Sequence, residues 1–244
     1  SEDVIWEGTN QLVVRLDNRD NPVTGPKPLK ILDFNTFGGI YRNVWFFSKS
    51  PLHITDPIFA AKEAGGGVFV TFPHVSKTSA VISVQTDVIN ENRRREAFRI
   101  THRLFKDGTL IQTCQGEQQR LNPGEEAEFH NELEVTNPDL WSPQDPHLYL
   151  LETVLLQGDK IVDKENTRIG IKSLEFRGQE FFLNGDPLFL RGVNRHQEYP
   201  FVGYALSDNA QYRDAKKIKD AGFDYVRLSH YPHSNAFMDA CDEL

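Results

Sequence analysis

Hydrogen-bonding residues follow two apolar runs near the end of this 244-residue sequence. The tripeptide Asn-Arg-His at 194–196 comes directly after the run 188–193. Arg227 and His230 come at the end of a second run, of aromatic and β-branched residues, that starts at Phe223. Imidazole and guanidinium N–H groups are directional donors to a polar ligand. If both runs are barrel strands, these donors lie at the end where α/β barrels place their sites.

The residues around these runs predict the alternation of strands and helices that such a site needs. Asn184-Gly185, between two apolar runs, predicts a hairpin because both residues tolerate positive φ. Ser207 or Asp208 can cap a helix that ends at Gly222. Its apolar stripe contains Tyr212, Ala215, Ile218 and Ala221. Ser234 can cap a second helix, whose core-facing stripe contains Phe237, Met238, Cys241 and Leu244. The order strand, helix, strand, helix predicts the start of an α/β barrel.

Short apolar segments separated by turn residues fill positions 66–172 and predict β-strands. The predicted strand segments are 68–72, 80–90, 97–111, 128–135 and 147–165. Asp107-Gly108 and Gly158-Asp159 divide the third and the last segment into hairpins. This size and spacing is typical of an immunoglobulin-like sandwich of about 100 residues, although the Cys…Trp…Cys pattern of antibody domains is absent.

The N-terminal segment is predicted to contain part of another β-domain. Residues 10–18 alternate between apolar and polar positions, and 40–47 form a second strand-like run. The loop 19–30 between them carries three prolines. Because so few strands do not make a stable sheet, we expect only the last strands of a larger domain here.

Three motifs, in order along the chain, resemble those of family-two glycoside hydrolases, which include β-galactosidases, β-glucuronidases and β-mannosidases. They are DFNTFGGIYRNVW at 33–45, NGDPLFLRGVNRH at 184–196 and VRLSHYPHS at 226–234. Asp224, Leu228 and Gln197 depart from the family's usual Asn, small residue and Glu.

The resemblance implies a chain that is mainly β with an α/β tail. Residues 1–56 would be the C-terminal part of a jelly-roll sugar-binding domain, and 57–172 an immunoglobulin-like β-sandwich. Residues 173–244 would be the start of a TIM (β/α)8 barrel. The chain is thus expected to be a fragment that lacks both ends of the enzyme.

The resemblance also implies a subsite for a terminal sugar. His196 and His230 would donate hydrogen bonds to ring hydroxyls, and Asp33 would reach the sugar from the N-terminal domain. The rest of the expected substrate-binding set is Arg227, Asn194 and Glu198. From the residues alone, other roles stay open: structural for each histidine, a turn for Asp33, and a brace of the barrel rim for Arg227. Arg195 is open in the same way.

Retaining hydrolysis of a glycoside needs two carboxyl groups about 5–5.5 Å apart. In the family both are glutamates from later barrel strands, so we expect them beyond Leu244 and expect the chain alone to be inactive. The predicted function of the whole enzyme is exo-hydrolysis of terminal β-linked sugars, with β-galactosides first. The alternatives are β-glucuronidase or β-mannosidase activity, or a non-catalytic carbohydrate-binding sandwich.

Composition and charge argue against some classes of ligand and partner. The 27 basic and 35 acidic residues give a net charge of −8, which argues against nucleic acid as a ligand. No apolar run is long enough to span a membrane. The resemblance establishes no cofactor; it leaves open a sodium or magnesium ion, and a homo-oligomer, in the full-length enzyme. Both cytoplasm and periplasm stay open as its location.

Several residues whose types occur in disulfides, metal sites or sugar-stacking positions are not predicted to act in these ways. Cys114 and Cys241 fall in different predicted domains, so we expect no disulfide. The pair His230 and His233 does not predict a metal site, because Pro232 interrupts helical spacing and a third ligand is not evident. Trp141 is expected to pack at a domain edge. The remaining histidines are expected on the surface of strands and loops: His53, His74, His102, His130 and His147.

Overall fold

The structure is a computed structural model that describes residues 4–23, 30–32 and 34–244. Its largest part is a sandwich of two antiparallel sheets. The strands are β1 (Leu52–Ile54), β2 (Val68–Val75), β3 (Ser79–Asn90), β4 (Glu96–Lys106), β5 (Thr109–Gln115), β6 (Gln119–Leu121), β7 (Glu126–Thr136), β8 (Tyr149–Gln157) and β9 (Lys160–Ile169). In one sheet β3 pairs with β1, β2 and β7. In the other, β4 pairs with β5, β6 and β8, and β9 pairs with β8.

Side chains that alternate along the strands fill the space between the two sheets. On β3, Ala80, Ile82 and Val84 are fully buried. Leu104 and Leu151, from the other sheet, belong to the same core cluster. Alternation with a period of two buries one face of each sheet, as a two-layer sandwich requires. The predicted immunoglobulin-like sandwich is therefore confirmed.

All five predicted strand segments of the sandwich form strands. The predicted turn at Asp107-Gly108 has φ of +48° and +77°, the region that a two-residue hairpin turn needs. The short strands β1 and β6 do not follow from the sequence, because three residues are too few to show alternation.

His102 lies inside the sandwich, so the prediction that it is on the surface is wrong. The side chain is fully buried. Its Nδ1 lies 3.0 Å from Thr153 Oγ1 and its Nε2 lies 3.2 Å from Asn131 Oδ1. Burial penalises the charged imidazolium and lowers the pKa of His102 from 6.5 to about 4, although the bond to Asn131 opposes this. Since both partners come from other strands, the local sequence of β4 does not reveal the burial.

The two strands predicted in the N-terminal segment are not formed. Residues 10–18 and 40–47 are irregular, and Leu12 and Phe46 are 85% and 89% exposed. An alternating segment becomes a strand only when a partner strand pairs with its backbone and covers its apolar face. None of the described residues supplies that partner. The assignment of 1–56 to a jelly roll stays a prediction.

The sequence after the sandwich begins with a small antiparallel sheet and continues as alternating strands and helices. The sheet contains β10 (Leu174–Arg177), β11 (Glu180–Leu183) and β12 (Asp186–Pro187). The later elements are β13 (Gly192–Arg195), α1 (Asp208–Asp220), β14 (Tyr225–Leu228) and α2 (Asn235–Glu243). β13 and β14 pair in parallel, which confirms the predicted start of the barrel. The predicted hairpin at Asn184-Gly185 joins β11 to β12.

Only the end of the apolar run 188–193 becomes strand, since β13 starts at Gly192. A Cβ atom at this position would lie 2.6 Å from the backbone oxygen of Tyr225. The lack of a side chain at Gly192 therefore allows the two parallel strands to approach closely.

The helices begin and end near the predicted residues, but their buried faces differ from the predicted stripes. Ser207 Oγ caps α1 by accepting from the Ala210 N–H, and Gly222, with φ of +85°, follows its end. On α1 the buried residues are Gln211 and Ala215, whereas Tyr212 is exposed. On α2 the buried residues are Phe237 and Ala240, whereas Met238 and Cys241 are exposed. Phe237 and Ala240 pack against Ala215 of α1 and against β14, so α2 has a small core within this chain.

Polar contacts join the sandwich to α2. Trp141 Nε1 donates to the carbonyl oxygen of Asp242 at 2.8 Å. Arg168 forms ion pairs with Asp239 and Glu243 at 2.7 and 2.5 Å. The Trp141 ring also lies against Gly170, where an added Cβ would approach within 2.9 Å. This confirms the predicted packing role of Trp141 and fixes α2 relative to the sandwich.

Candidate functional site

The two parallel strands bring the predicted histidines together. His196 follows β13 and His230 lies two residues after β14, and both side chains are exposed at the strand ends. Their ring centroids are 5.4 Å apart with an interplanar angle of 80°. The strand register also places Asn194 opposite Arg227, and both are exposed. Four of the six predicted site residues therefore lie at one end of the β13–β14 pair.

Arg227 fixes the hydrogen-bonding state of His230. Its Nη2 lies 3.3 Å from His230 Nδ1, and its Nη1 donates to Ser229 Oγ at 3.4 Å. A guanidinium can only donate, so His230 Nδ1 must accept. This contact favours the tautomer with the proton on Nε2, the nitrogen that can donate to a ligand. The Ser229–His230 peptide bond is cis.

The N-terminal segment contacts this site through Phe34. The Phe34 ring centroid lies 6.0 Å from that of His196, 5.6 Å from that of His230 and 5.4 Å from that of Tyr231. Asp33, predicted to contact substrate, lies outside the described residues. Phe34 is a site residue that the sequence analysis missed, although it belongs to the motif at 33–45.

Glu198 lies at the edge of the same site and is held by the N-terminal segment. Asn35 Nδ2 donates to Glu198 Oε1 at 2.8 Å, and the Tyr204 hydroxyl donates to the Asn35 carbonyl oxygen. An open cavity of about 610 Å³ adjoins Glu198. Its lining residues are Phe37, Glu198, Tyr199, Pro200, Phe201 and Gly203. Glu198 thus faces space large enough for a sugar ring while it is oriented by Asn35.

Aromatic rings form the floor of the site. Tyr231 packs on His196 and on Tyr204, with ring centroids 5.9 and 4.7 Å apart, respectively. Tyr204 is buried, and desolvation raises the pKa of its hydroxyl. Neither tyrosine follows from the sequence as a site residue, since only the fold brings the 199–204 loop beneath Tyr231.

Arg195 and His233 lie beneath this floor rather than in the open site. Both are buried, and Arg195 Nη1 lies 3.0 Å from His233 Nδ1. Burial is the main cause that lowers the pKa of His233, and the positive charge of Arg195 also contributes.

Among the described residues, no three His, Cys, Asp or Glu side chains are grouped so that they could hold a metal ion. No helix in the described part of the chain is long and apolar enough to cross a membrane.

Family comparisons agree with this architecture. The model described as glycosyl hydrolases family 2 matches residues 67–172, and the model for the TIM barrel domain of that family matches residues 174–244. The two matched regions follow one another along the chain, as the sandwich and the barrel strands do in the structure. The chain belongs to glycosyl hydrolase family 2.

Named relatives cover nearly all of the chain. A β-galactosidase of Thermoanaerobacter pseudethanolicus is 32% identical over 237 residues, which are 96% of this chain and 30% of that protein. A β-glucuronidase of Formosa agariphila is 26% identical over 211 residues, 85% of this chain and 21% of that protein. The crystal structure of a Bacteroides uniformis β-glucuronidase superposes with a TM-score of 0.79 at 35% identity, covering 93% of this chain and 27% of that one. The chain thus spans about a third or less of the length of these relatives.

Proposed function

We propose that the protein carrying this chain is a retaining exo-glycosidase that hydrolyses terminal β-linked sugars, with β-galactosides as first substrates. The observation that carries the proposal is the pairing of His196 and His230 at the ends of two parallel strands, within a member of glycosyl hydrolase family 2. Strand ends of a barrel are where such enzymes bind and convert their substrates.

In this proposal His196 and His230 donate hydrogen bonds to hydroxyls of the terminal sugar. The Arg227 bond to Nδ1 supports this role for His230, because it leaves the proton on Nε2. These bonds would strengthen as the ring acquires positive charge in the oxocarbenium-like transition state. Arg227 would act mainly by orienting His230.

The remaining proposed contacts come from Asp33, Asn194 and Glu198. Asn194 is paired in register with Arg227 and is exposed at the same strand ends. The bond from Asn35 holds one carboxylate oxygen of Glu198 and leaves the other able to accept from a sugar hydroxyl. Phe34 packs on both histidines, and this supports a contact with the sugar from its neighbour Asp33.

The nucleophile and the acid/base group are proposed to be two glutamates from other strands of the complete barrel. A retaining mechanism needs both carboxyl groups about 5–5.5 Å apart across the scissile bond. Glu198 already accepts from Asn35 beside the floor of the site, so we assign it to binding rather than to proton transfer.

β-Glucuronides are the second candidate substrates, because proteins named β-glucuronidase match this chain at up to 35% identity. The test is to measure kcat/KM of the full-length enzyme on aryl β-galactosides, β-glucuronides and β-mannosides, with proton NMR of the first sugar anomer released. We expect the galactoside to have the highest kcat/KM and the product to keep the β configuration. An inverted product, or no hydrolysis of any of the three, would contradict the proposal.

A further inference from the structure

Arg195 connects four separate segments of the barrel portion beneath the substrate site. It is the last residue of β13 and only 5% exposed. Its Nη2 donates to Gln211 Oε1 at 2.7 Å and to Asp214 Oδ2 at 2.8 Å, both on α1. Its Cζ lies 3.9 Å from the ring centroid of Phe237 on α2. Its Nη1 reaches His233, in the loop between β14 and α2.

His233 closes that loop on itself. Because Arg195 can only donate to Nδ1, the His233 proton is on Nε2, which donates to the Ser229 carbonyl oxygen at 3.2 Å. The Ser229 N–H in turn donates to the carbonyl oxygen of Arg195 at 3.0 Å. The two ends of the segment 229–233 are therefore bound to each other and to the end of β13. His230 and Tyr231 lie between these two ends.

The same loop is also held from the side of the substrate site. The His233 ring is stacked on Tyr231, with centroids 5.2 Å apart and an interplanar angle of 20°. The Tyr231 hydroxyl accepts from the backbone N–H of Gln197 at 3.1 Å. Gln197 follows His196 in the chain, so Tyr231 spans the two histidine-bearing segments.

Because Arg195 is a buried charge, this arrangement is sensitive to the loss of one of its hydrogen-bond partners. The Arg195 guanidinium is balanced by Asp214, whose side chain is 24% exposed. A buried cation that loses a hydrogen-bond acceptor keeps its desolvation cost, so its neighbours must rearrange. The segment nearest to such a rearrangement is the one that carries His230.

We propose that Arg195 and His233 are positioning residues that hold His230 at the distance from His196 that sugar binding requires. This rests on the proposed function, in which the two histidines bind the terminal sugar together. The pair does not contact substrate; it acts through His230 and Tyr231.

The test is a double-mutant cycle in the full-length enzyme. His233→Phe keeps a ring on Tyr231 and removes both hydrogen bonds, whereas His233→Gln keeps an acceptor for Arg195 and a donor for Ser229. His74→Phe, at an exposed strand position of the sandwich, is the matched control. Each change at 233 is made in wild-type enzyme and in the His230→Ala variant, and kcat and KM are measured on an aryl β-galactoside.

Misplacement of a substrate-binding group by about 1 Å can cost on the order of 100-fold in rate. We expect His233→Phe to lower kcat by about 10- to 100-fold with a smaller change in KM, and His233→Gln to recover most of the loss. In the His230→Ala background, His233→Phe should cost less than about threefold, because the residue that it positions is already gone. Equal losses in both backgrounds would mean a general structural role and would overturn the proposal.

A second measurement keeps the positioning proposal testable if the wild-type enzyme hydrolyses no glycoside, which would refute the proposed function by itself. Hydrogen exchange of the Ser229 amide, bonded to the Arg195 carbonyl, should be faster in His233→Phe and near wild-type in His233→Gln. If His233→Phe does not fold, the exchange rate of the Ser229 amide in His233→Gln and in Arg195→Lys is compared with that in the wild-type enzyme instead. Unchanged exchange in folded variants would overturn the positioning role whatever the activity.

Discussion

Acid should destabilise the sandwich through a single buried histidine. His102 lies on β4, in one sheet, and contacts Asn131 on β7, in the other, and Thr153 on the adjacent strand β8. Because Asn131 Oδ1 and the Thr153 hydroxyl satisfy both ring nitrogens of the neutral form, protonation gains no new partner there. The imidazolium would lose its hydration instead, which is why the pKa falls from 6.5 to about 4.

The size and direction of the effect follow from the difference in pKa between the folded and unfolded chain. Well above pH 6.5 His102 is neutral in both states and contributes no pH dependence. Between pH 6.5 and about 4 the unfolded chain binds a proton that the folded chain does not, so the free energy of unfolding falls as the pH falls. Each unit of pKa difference is worth about 1.4 kcal/mol, and the total is therefore about 3 kcal/mol.

The assay is urea unfolding of the 244-residue chain, followed by circular dichroism. His102→Gln, which keeps polar contacts without a titrating group, is compared with wild type at pH 7 and pH 4. His130→Gln, at an exposed position on β7, is the matched control. Carboxylates that titrate in the same range affect all three proteins and cancel in the difference.

We expect the stability difference between wild type and His102→Gln to change by about 3 kcal/mol between the two pH values. The stability difference between wild type and His130→Gln should stay constant. If His102→Gln lost as much stability toward pH 4 as wild type, the burial argument would be refuted.

Three further predictions concern the proposed substrate site and the barrel portion. In the full-length enzyme, His196→Ala and His230→Ala should each lower kcat and kcat/KM, with a loss of about 2–4 kcal/mol in transition-state stabilisation. Asp33→Ala should mainly raise KM. Wild-type kcat in both histidine variants would make those two residues structural. The 244-residue chain alone should not hydrolyse aryl β-galactosides, because its described part has one pair of parallel strands where a complete barrel has eight strands; turnover that Glu198→Gln abolishes would contradict this. Hydrogen exchange of the monomeric chain should be faster in Tyr225–Leu228 than in β3 or β8, because β14 pairs on one side only; equal protection would show that the small core around Phe237 suffices.

The sequence predicted the elements whose signals are local. The sandwich strands could be predicted because alternation along a strand, as over the 12 residues of β3, marks one buried face. Hairpins followed from Asp107-Gly108 and Asn184-Gly185, whose residue types allow the required positive φ. The same alternation at 10–18 gave a wrong prediction, because it marks a face that can be buried and does not supply the strand that would bury it.

The residues of the candidate site also fall into two groups, those that the local sequence predicts and those that depend on distant contacts. His196 and His230 could be assigned because they follow strand-like runs and because parallel strands end at one edge. Arg195 was left open and His233 was considered only as part of a metal pair, since each depends on contacts across 16 to 38 residues of chain. Phe34 is separated from the strand ends by more than 160 residues, and nothing in its own segment indicates which rings it packs on.

This division explains why supporting residues are harder to predict than ligand-contacting ones. His196 and His230, the proposed ligand-contacting residues of the barrel, lie at strand ends, and strand ends can be recognised locally. A residue that supports it can lie on any element packed beneath, as Gln211 and Asp214 of α1 do for Arg195. Their side chains also make the contacts that burial demands of any guanidinium, so their residue types alone carry no functional signal. The double-mutant cycle at His230 and His233 measures that difference, because only a residue that acts through His230 loses its effect when His230 is removed.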